Sequence, residues 1–569
     1  MADNDKRVKG FADDSFGFGS SDHPEYKPLP FRIMAVGDFC GANRSAAREP
    51  AAIDAHDFDK VLERFWPRAV FEVENHLGTS GKTLEIDFTP TTLKDFEPRV
   101  MAARIPALQP VADFITRAKQ LADGSLKPAD FKKDLAPIQA IPALRDALEA
   151  VLDKIGGAPP ASSPSLDTKG KGDASVDAIF DMVDTGKKDS GGSAIDAFAG
   201  GISGGGTGFD VSDAISAAGE LLENQLRAVY DHAGIQRLER NWRGLHLLCK
   251  RGKGARIEVF DGDYEAWKTQ VFDAELAGTS DAPLAMVLVA EEVDNTPAGL
   301  ELLQQWGDYG AQIQCAVVFD ATKLVGIEMS ELSAKDAPAN VFEDSRFDKW
   351  RSLRDKDESR WLCAALNPWF MRPELTRKRH NAEGPVAWGS PVWLVGASVA
   401  QSMQRTGWPA SHTGAANGEI EQLKVYPHSD GAEYPLQAIF SDRALKDLSR
   451  AGFTPLICQP NNDSAWVILA PMLHKPSKAE EEGKLGTLAY QLVASRLGET
   501  LISHKARLVV QGDANASAQN LAKFVAGLLA DTGAGANIDI QGDENQLVLN
   551  IRTGKDLLGG VELQLGIKL

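Results

Sequence analysis

Apolar and polar residues change their spacing several times along the chain, and each change predicts an element. Phe31-Arg32-Ile33-Met34-Ala35-Val36 crowds apolar side chains together and Gly37-Asp38 ends the run at a turn, so a buried strand is expected there. Ile53 to Leu62 opens a short helix with Asp57 as a plausible cap and acids in its first turn. Val70 to Asn75 and Thr83 to Phe88 then alternate, the pattern of two half-buried strands joined by a Gly78 to Gly81 turn. From Leu93 to Leu121 the spacing becomes helical, with Phe96, Val100, Val111, Phe114, Ile115, Ala118 and Leu121. Residues 28–155 therefore read as a small α+β body, helices on a small sheet.

A larger body follows from 209 to 569. Leu221 to Tyr230 and Ile235 to Leu248 read as consecutive helices, with Leu222, Leu226 and Val229 on one face and Leu238, Trp242 and Leu245 on the next. The apolar runs Leu284 to Ala290 and Ile313 to Phe319 flank a helical pattern from Thr296 to Gly307, which predicts a βαβ unit with parallel strands buried on both faces. At the end of the chain, Asn537 to Gln541, Leu547 to Arg552 and Val561 to Lys568 alternate apolar and polar residues between turns. A protein ending on unpaired edge strands invites another chain; the alternative is a meander that covers its own edge. The whole is a multidomain mixture of α+β and α/β parts.

Between the two bodies, residues 156–208 hold Gly156-Gly157-Ala158-Pro159-Pro160, Lys169-Gly170-Lys171-Gly172 and the glycines from Gly200 to Gly206. So little apolar surface cannot offset the entropy of ordering the segment, and a flexible linker is expected, as for the arm at 1–27. Two amphipathic pieces interrupt it. Ser175 to Val183 places Val176, Ile179, Phe180 and Val183 at helical spacing behind a capping serine, and Ser193 to Phe198 repeats the theme more weakly.

Composition changes the picture mainly by exclusion. A net charge of −19 over 569 residues argues against nucleic acid as a partner, because phosphate binding draws on clustered Lys and Arg. Cys40, Cys249, Cys315, Cys363 and Cys458 lie far apart with no CxxC pair, which points to neither a zinc site nor a disulfide framework and suits a reducing cytoplasm. The first thirty residues are too polar for a signal peptide, and no run of about eighteen apolar residues is present to span a bilayer. Gly78-Thr79-Ser80-Gly81-Lys82-Thr83 imitates a phosphate loop, but His76 stands where the first glycine is required and a strand follows, so a hairpin turn is the better reading. The ten histidines form no HExxH, and His380 sits in the basic run Arg377-Lys378-Arg379-His380, read as a solvated loop. No catalytic residue, metal site or cofactor is indicated.

Two resemblances are specific. Pro28-Leu29-Pro30-Phe31, Val36-Gly37-Asp38-Phe39-Cys40-Gly41, Leu93-Lys94-Asp95-Phe96-Glu97-Pro98, Ile105-Pro106-Ala107-Leu108 and Ile141-Pro142-Ala143-Leu144 resemble, in order and spacing, the small sheath subunit of type VI secretion, the TssB or VipA family. Ile235-Gln236-Arg237-Leu238-Glu239-Arg240-Asn241-Trp242-Arg243-Gly244-Leu245, Glu358-Ser359-Arg360, Trp388-Gly389-Ser390-Pro391, Ser441-Asp442-Arg443 and Gly452-Phe453-Thr454-Pro455-Leu456 resemble the large subunit, the TssC or VipB family. The chain thus resembles a natural fusion of the two. The resemblance implies a mechanical protomer that stacks with copies of itself as a helical tube around an inner Hcp tube, cytoplasmic and attached to an envelope-anchored baseplate, contracting to drive effector delivery. It also implies that residues 536–569 join strands of neighbouring subunits, through Leu547, Leu549, Ile551, Val561, Leu563, Leu565 and Ile567. Val176, Ile179, Phe180 and Val183 become the candidate handle for a ClpV-type unfoldase. One departure is that 1–27 offers only Ser15-Phe16-Gly17-Phe18-Gly19 where small subunits carry an alternating strand, which keeps a non-contractile or baseplate-proximal homologue, or an adaptor, in view. The competing class is an enzyme using the central α/β unit, with a pocket near the ends of the strands at Val289 and Phe319.

Overall fold

The computed structural model describes residues 29–44, 49–53, 58–79, 81–156, 209–278, 280, 282–372, 386–478, 486–530, 532, 537–542 and 545–568. The arm at 1–27, the linker with its two amphipathic pieces, the Asp57 cap and the basic run at His380 lie outside these residues. Numbered along the chain, the strands are β1 (Arg32–Gly37), β2 (Ala51–Ala52), β3 (Ala69–Glu74), β4 (Thr83–Phe88), β5 (Arg256–Asp261), β6 (Leu284–Glu292), β7 (Ala316–Asp320), β8 (Leu362–Leu366), β9 (Trp369–Arg372), β10 (Ala387–Gly389), β11 (Tyr426–Pro427), β12 (Glu433–Tyr434), β13 (Phe453–Ile457), β14 (Trp466–Val467), β15 (Asn537–Gly542), β16 (Gln546–Arg552) and β17 (Glu562–Lys568). Among the described residues no helix is long and apolar enough to cross a membrane.

Helices and sheets mix in two compact units, and their boundaries cut across the bodies read from sequence. One unit holds the described residues up to Phe65 together with Arg237–Arg372 and Ala387–Leu569; the other holds Trp66–Gln236 and Pro373–Val386. The first is built on an eight-stranded sheet in the order β14-β13-β8-β7-β6-β1-β5-β2. β1, expected in the small sheet of the N-terminal body, instead runs parallel between β5 and β6, pairing Ile33 with Ile257 and with Met286. The physical reason is in its pattern: all six residues are buried, so the strand needs cover on both faces, which a two-stranded sheet cannot give. The only charge in the run is neutralised by two buried acids, one on the neighbouring strand and one on the helix Asp273–Leu276. Arg32 meets Glu258 of β5 and Glu275, both at 2.8 Å.

The expected βαβ unit forms as β6, the helix Pro297–Ile313 and β7, with β6 and β7 parallel. Thr296 caps the helix by accepting from the Gly299 amide at 3.1 Å, Pro297 occupies its first turn, and Gln314 ends it in the left-handed conformation. Trp267, Trp306 and Tyr309 pack with Val317 and Phe319 on one side of the sheet.

In the second unit the β3–β4 hairpin forms as the alternation predicts, in register from Ala69↔Phe88 to Glu74↔Thr83. Gly78 and Gly81 carry positive φ in its turn, and Asn75 Nδ2 donates to the Thr79 and Gly81 carbonyls, so the loop is a turn held by an asparagine and the phosphate-loop imitation is accounted for. The outer edge of β3 is closed by a side chain: the fully buried Gln225, on the helix Ser212–Asp231, donates to the Glu74 carbonyl and accepts from the His76 amide, both at 2.8 Å. Tyr230 of the same helix donates to the Phe96 carbonyl at 2.6 Å.

Candidate assembly interface

The motifs that carry the resemblance are spent on architecture. Within the first unit, Glu239 is buried and holds Arg372 and Arg243 at 2.9 and 2.8 Å; burial would raise its carboxyl, but the two guanidinium groups keep it below the ordinary range. Asn241 Nδ2 donates to the Asp38 carbonyl at 2.9 Å and Trp242 Nε1 to the Phe39 carbonyl at 2.8 Å, while Arg237 reaches Asp38 Oδ2 at 3.0 Å. A side chain at Gly244 would place Cβ 2.1 Å from Trp393 Nε1, so the helix must carry glycine there. The segment Gly37-Asp38-Phe39-Cys40 answers through Asp261, whose Oδ1 accepts from the Phe39 and Cys40 amides at 2.7 and 2.8 Å. Small-subunit and large-subunit motifs thus bond directly to each other.

These same contacts fill the carboxyl ends of the parallel strands, where an enzyme of this architecture would place its ligand. Glu292, ending β6, pairs with Arg240 at 2.6 Å and Lys323 at 2.8 Å, and the two cations outweigh burial to lower its carboxyl. Burial and the neighbouring Glu292 push the Asp320 carboxyl, ending β7, upward. All five cysteines are buried, and among the described residues no group of three or more potential ligands could hold a metal ion.

The C-terminal strands form a separate sheet in the order β15-β16-β17, antiparallel throughout. Leu547, Leu549 and Ile551 pair with Ile567, Leu565 and Leu563, and their alternation turns one face onto the helices Leu488–Leu508 and Ala514–Leu528. Leu549, Ile551 and Leu563 are fully buried against Val493, Leu497, Leu521 and Phe524; Leu565 is half-buried. Val561 stands one residue before β17. The opposite face carries Asp539, Gln541, Asn550, Arg552, Glu562 and Gln564, with Gln564 Nε2 donating to Asn550 Oδ1 at 3.2 Å. The apolar residues singled out from sequence are therefore brought together, but as this sheet's own core.

What remains open is backbone. Neither β15 nor β17 has a second neighbour among the described residues. The Thr553 amide donates to the Val561 carbonyl at 3.0 Å, which fixes the phase of the ladder. By the alternation of antiparallel pairing, Val561, Leu563, Leu565 and Ile567 turn their amides toward β16, and Glu562, Gln564, Gly566 and Lys568 turn theirs outward. Of the residues named from sequence, Val561, Leu563, Leu565 and Ile567 thus place their amides inside this sheet's own ladder. Val176, Ile179, Phe180 and Val183 lie outside the described residues.

Comparison with known proteins adds the family. Residues 16–156 match the family described as "Type VI secretion system, VipA, VC_A0107 or Hcp2", and residues 263–474 match "EvpB/VC_A0108, tail sheath N-terminal domain". The type VI secretion system sheath protein TssC1 of Pseudomonas aeruginosa is 24% identical over 312 residues, covering 48% of this chain and 63% of the relative, so the chain spans less than two thirds of that protein. Crystal structures of sheath tail proteins from Desulfitobacterium hafniense and Listeria innocua align at TM-scores of 0.32 and 0.30 with 10% and 9% identity, covering 54% and 52% of this chain and 61% and 59% of theirs. With both segments matched in order, and their signature residues hydrogen-bonded to one another, the chain belongs to the type VI secretion sheath family as a fusion of its VipA-type and VipB-type subunits.

Proposed function

We propose that this protein is the repeating unit of a sheath: copies join edge to edge through β15 and β17, stack as a helical tube around an inner Hcp tube, and shorten on triggering to drive delivery from a baseplate on the cytoplasmic side of the envelope. The observation that carries the reading is the C-terminal sheet, whose apolar side chains are covered by its own helices while neither outer ladder has a second strand among the described residues. Such an edge is stabilised by main-chain bonds to another copy, and a head-to-tail contact that does not close generates an open helix. Fusion fixes the two halves at one to one. The segment at 176–183 is proposed as the handle by which an unfoldase recycles the spent tube.

Deleting β17 would test this poorly, because Leu563 and Ile567 belong to the local core. Gln564→Pro is the sharper variant: it removes an outward amide and leaves the bonds to β16 in place, and edge strands tolerate proline. Negative-stain electron microscopy should show tubes or cogwheel fragments for the native chain and dispersed particles of unchanged fold for Gln564→Pro. Dispersed native protein, with or without purified inner-tube protein, would sink the reading.

A further inference from the structure

In the second unit, Gln225 closes only one end of the β3 edge, at the Glu74 carbonyl and the His76 amide. The Asn75 amide donates to the Lys82 carbonyl at 3.0 Å, so Phe71, Val73 and Asn75 turn their main chain toward β4 while Val70, Glu72 and Glu74 turn theirs outward. Among the described residues, the Glu72 amide and carbonyl and the Glu74 amide meet no hydrogen-bond partner. This open stretch of ladder borders a cleft of about 700 Å³ whose other wall is the helix Ser212–Asp231, at Asn224, Ala228 and Asp231. Fixed contacts hold the two walls: Gln225 at one end and, toward the other, the Phe71 ring stacked on the His232 ring with centroids 4.0 Å apart. A groove with one wall of unpaired main chain is the form of a site for an added strand.

The side chains say what that strand carries. Glu72 stands directly opposite Glu85 in a non-hydrogen-bonded pair of the hairpin, the arrangement that brings side chains closest, and like charges there repel. Asp87 has Arg68 at 2.6 Å and Glu74 has the His76 ring at 4.0 Å, but neither Glu72 nor Glu85 has a cation partner among the described residues. Asp231 adds a further acid to the cleft. We propose that the β3 edge receives an extended segment of a partner protein with Lys or Arg at two alternate positions, beside Glu72 and Glu74, and an apolar residue between them turned to Val73 and Ala228. Its main chain bonds to the Glu72 amide and carbonyl and to the Glu74 amide, and its cation beside Glu72 relieves the repulsion from Glu85. This edge is distinct from the ladders of β15 and β17, so its docking role stands whether or not copies polymerise through them.

The probe is a fluorescein-labelled, end-blocked peptide, Thr-Val-Lys-Val-Lys-Val-Thr, set against its counterpart with both lysines replaced by glutamate, each titrated into the full chain by fluorescence anisotropy. The lysine peptide should bind about tenfold tighter than the glutamate peptide. Glu72→Lys should weaken the lysine peptide about fivefold and strengthen the glutamate peptide, a reversal that loss of the fold does not produce. Hydrogen exchange at the Glu72 and Glu74 amides should slow when the lysine peptide is bound, with β15 to β17 unchanged. No binding of the lysine peptide at about 1 mM, equal binding of the two peptides, or undiminished affinity in Glu72→Lys overturns the proposal. Protection of the Glu72 and Glu74 amides in the free protein that grows with its concentration would give the edge to a second copy and overturns it as well.

Discussion

β1 and β17 are apolar strands of nearly equal length, and their surroundings are opposite. β1 has a parallel neighbour on each side and six buried residues in a row; β17 has one neighbour among the described residues, an exposed polar face, and a row of amides turned away from the sheet. An unbroken apolar run marks a strand that has been closed on every side, whereas alternation marks one whose ladder can remain available. The first strand makes the two sheath segments one body, and the second leaves that body something to offer.

The sharpest way to break the comparison is at Arg32. Arg32→Ala would leave Glu275 without its cation and Glu258 with Arg256 alone, at a cost of about 3 kcal/mol in chemical denaturation. A cost no larger than that of an exposed arginine would mean that β1 is not internal to the sheet. Leu549→Ala, in the middle of the C-terminal sheet, should cost about 2–5 kcal/mol. Its loss should show as faster hydrogen exchange in β15 to β17 and the two helices beneath them, with β1 and β6 unchanged. Equal acceleration in both sheets would erase the distinction between them.

A pH measurement sharpens the contrast further. His412 is wholly buried, its Nδ1 lies 2.9 Å from the Pro409 carbonyl, and burial lowers its pKa to about 4. The unfolded chain takes up that proton near pH 6.5, so the stabilisation is complete above that value and is lost as pH falls toward 4, by about 3 kcal/mol at most. His412→Asn should flatten the slope of stability against pH in that window; an unaltered slope would show that other groups set it. The smallest effect on stability is expected for Gln564→Pro, within about 1 kcal/mol of the native protein, although it should abolish edge pairing.

How much of this was legible beforehand depends on how local the cause is. The βαβ unit, the β3–β4 hairpin and the three C-terminal strands were readable because spacing and turn residues lie within a few positions of each other. The placement of β1 was not, because its partners are chosen by tertiary packing more than two hundred residues away, and a run such as Phe31 to Val36 says only that both faces are covered. Arg32 was the available signal: a charge inside a buried apolar run must find acids on the elements packed around it. Glu239 with Arg372 and Gln225 with the β3 edge were equally silent, since their partners are distant and two of those are backbone groups. At the interface the strands were evident, but choosing residues by apolarity selected the side chains that the sheet needs for itself.

The position of β1 also sets a timetable. The ribosome completes this strand about 220 residues before β5 is made and later still for β6, which at roughly 5–20 residues per second leaves it without neighbours for on the order of ten to forty seconds. Throughout that wait a six-residue sticky segment is attached to a growing polysome, close to identical segments on neighbouring nascent chains. The arginine at its start and the charged residues before it then act as gatekeepers against premature association, so that Arg32→Met should fail during synthesis as well as in the finished sheet.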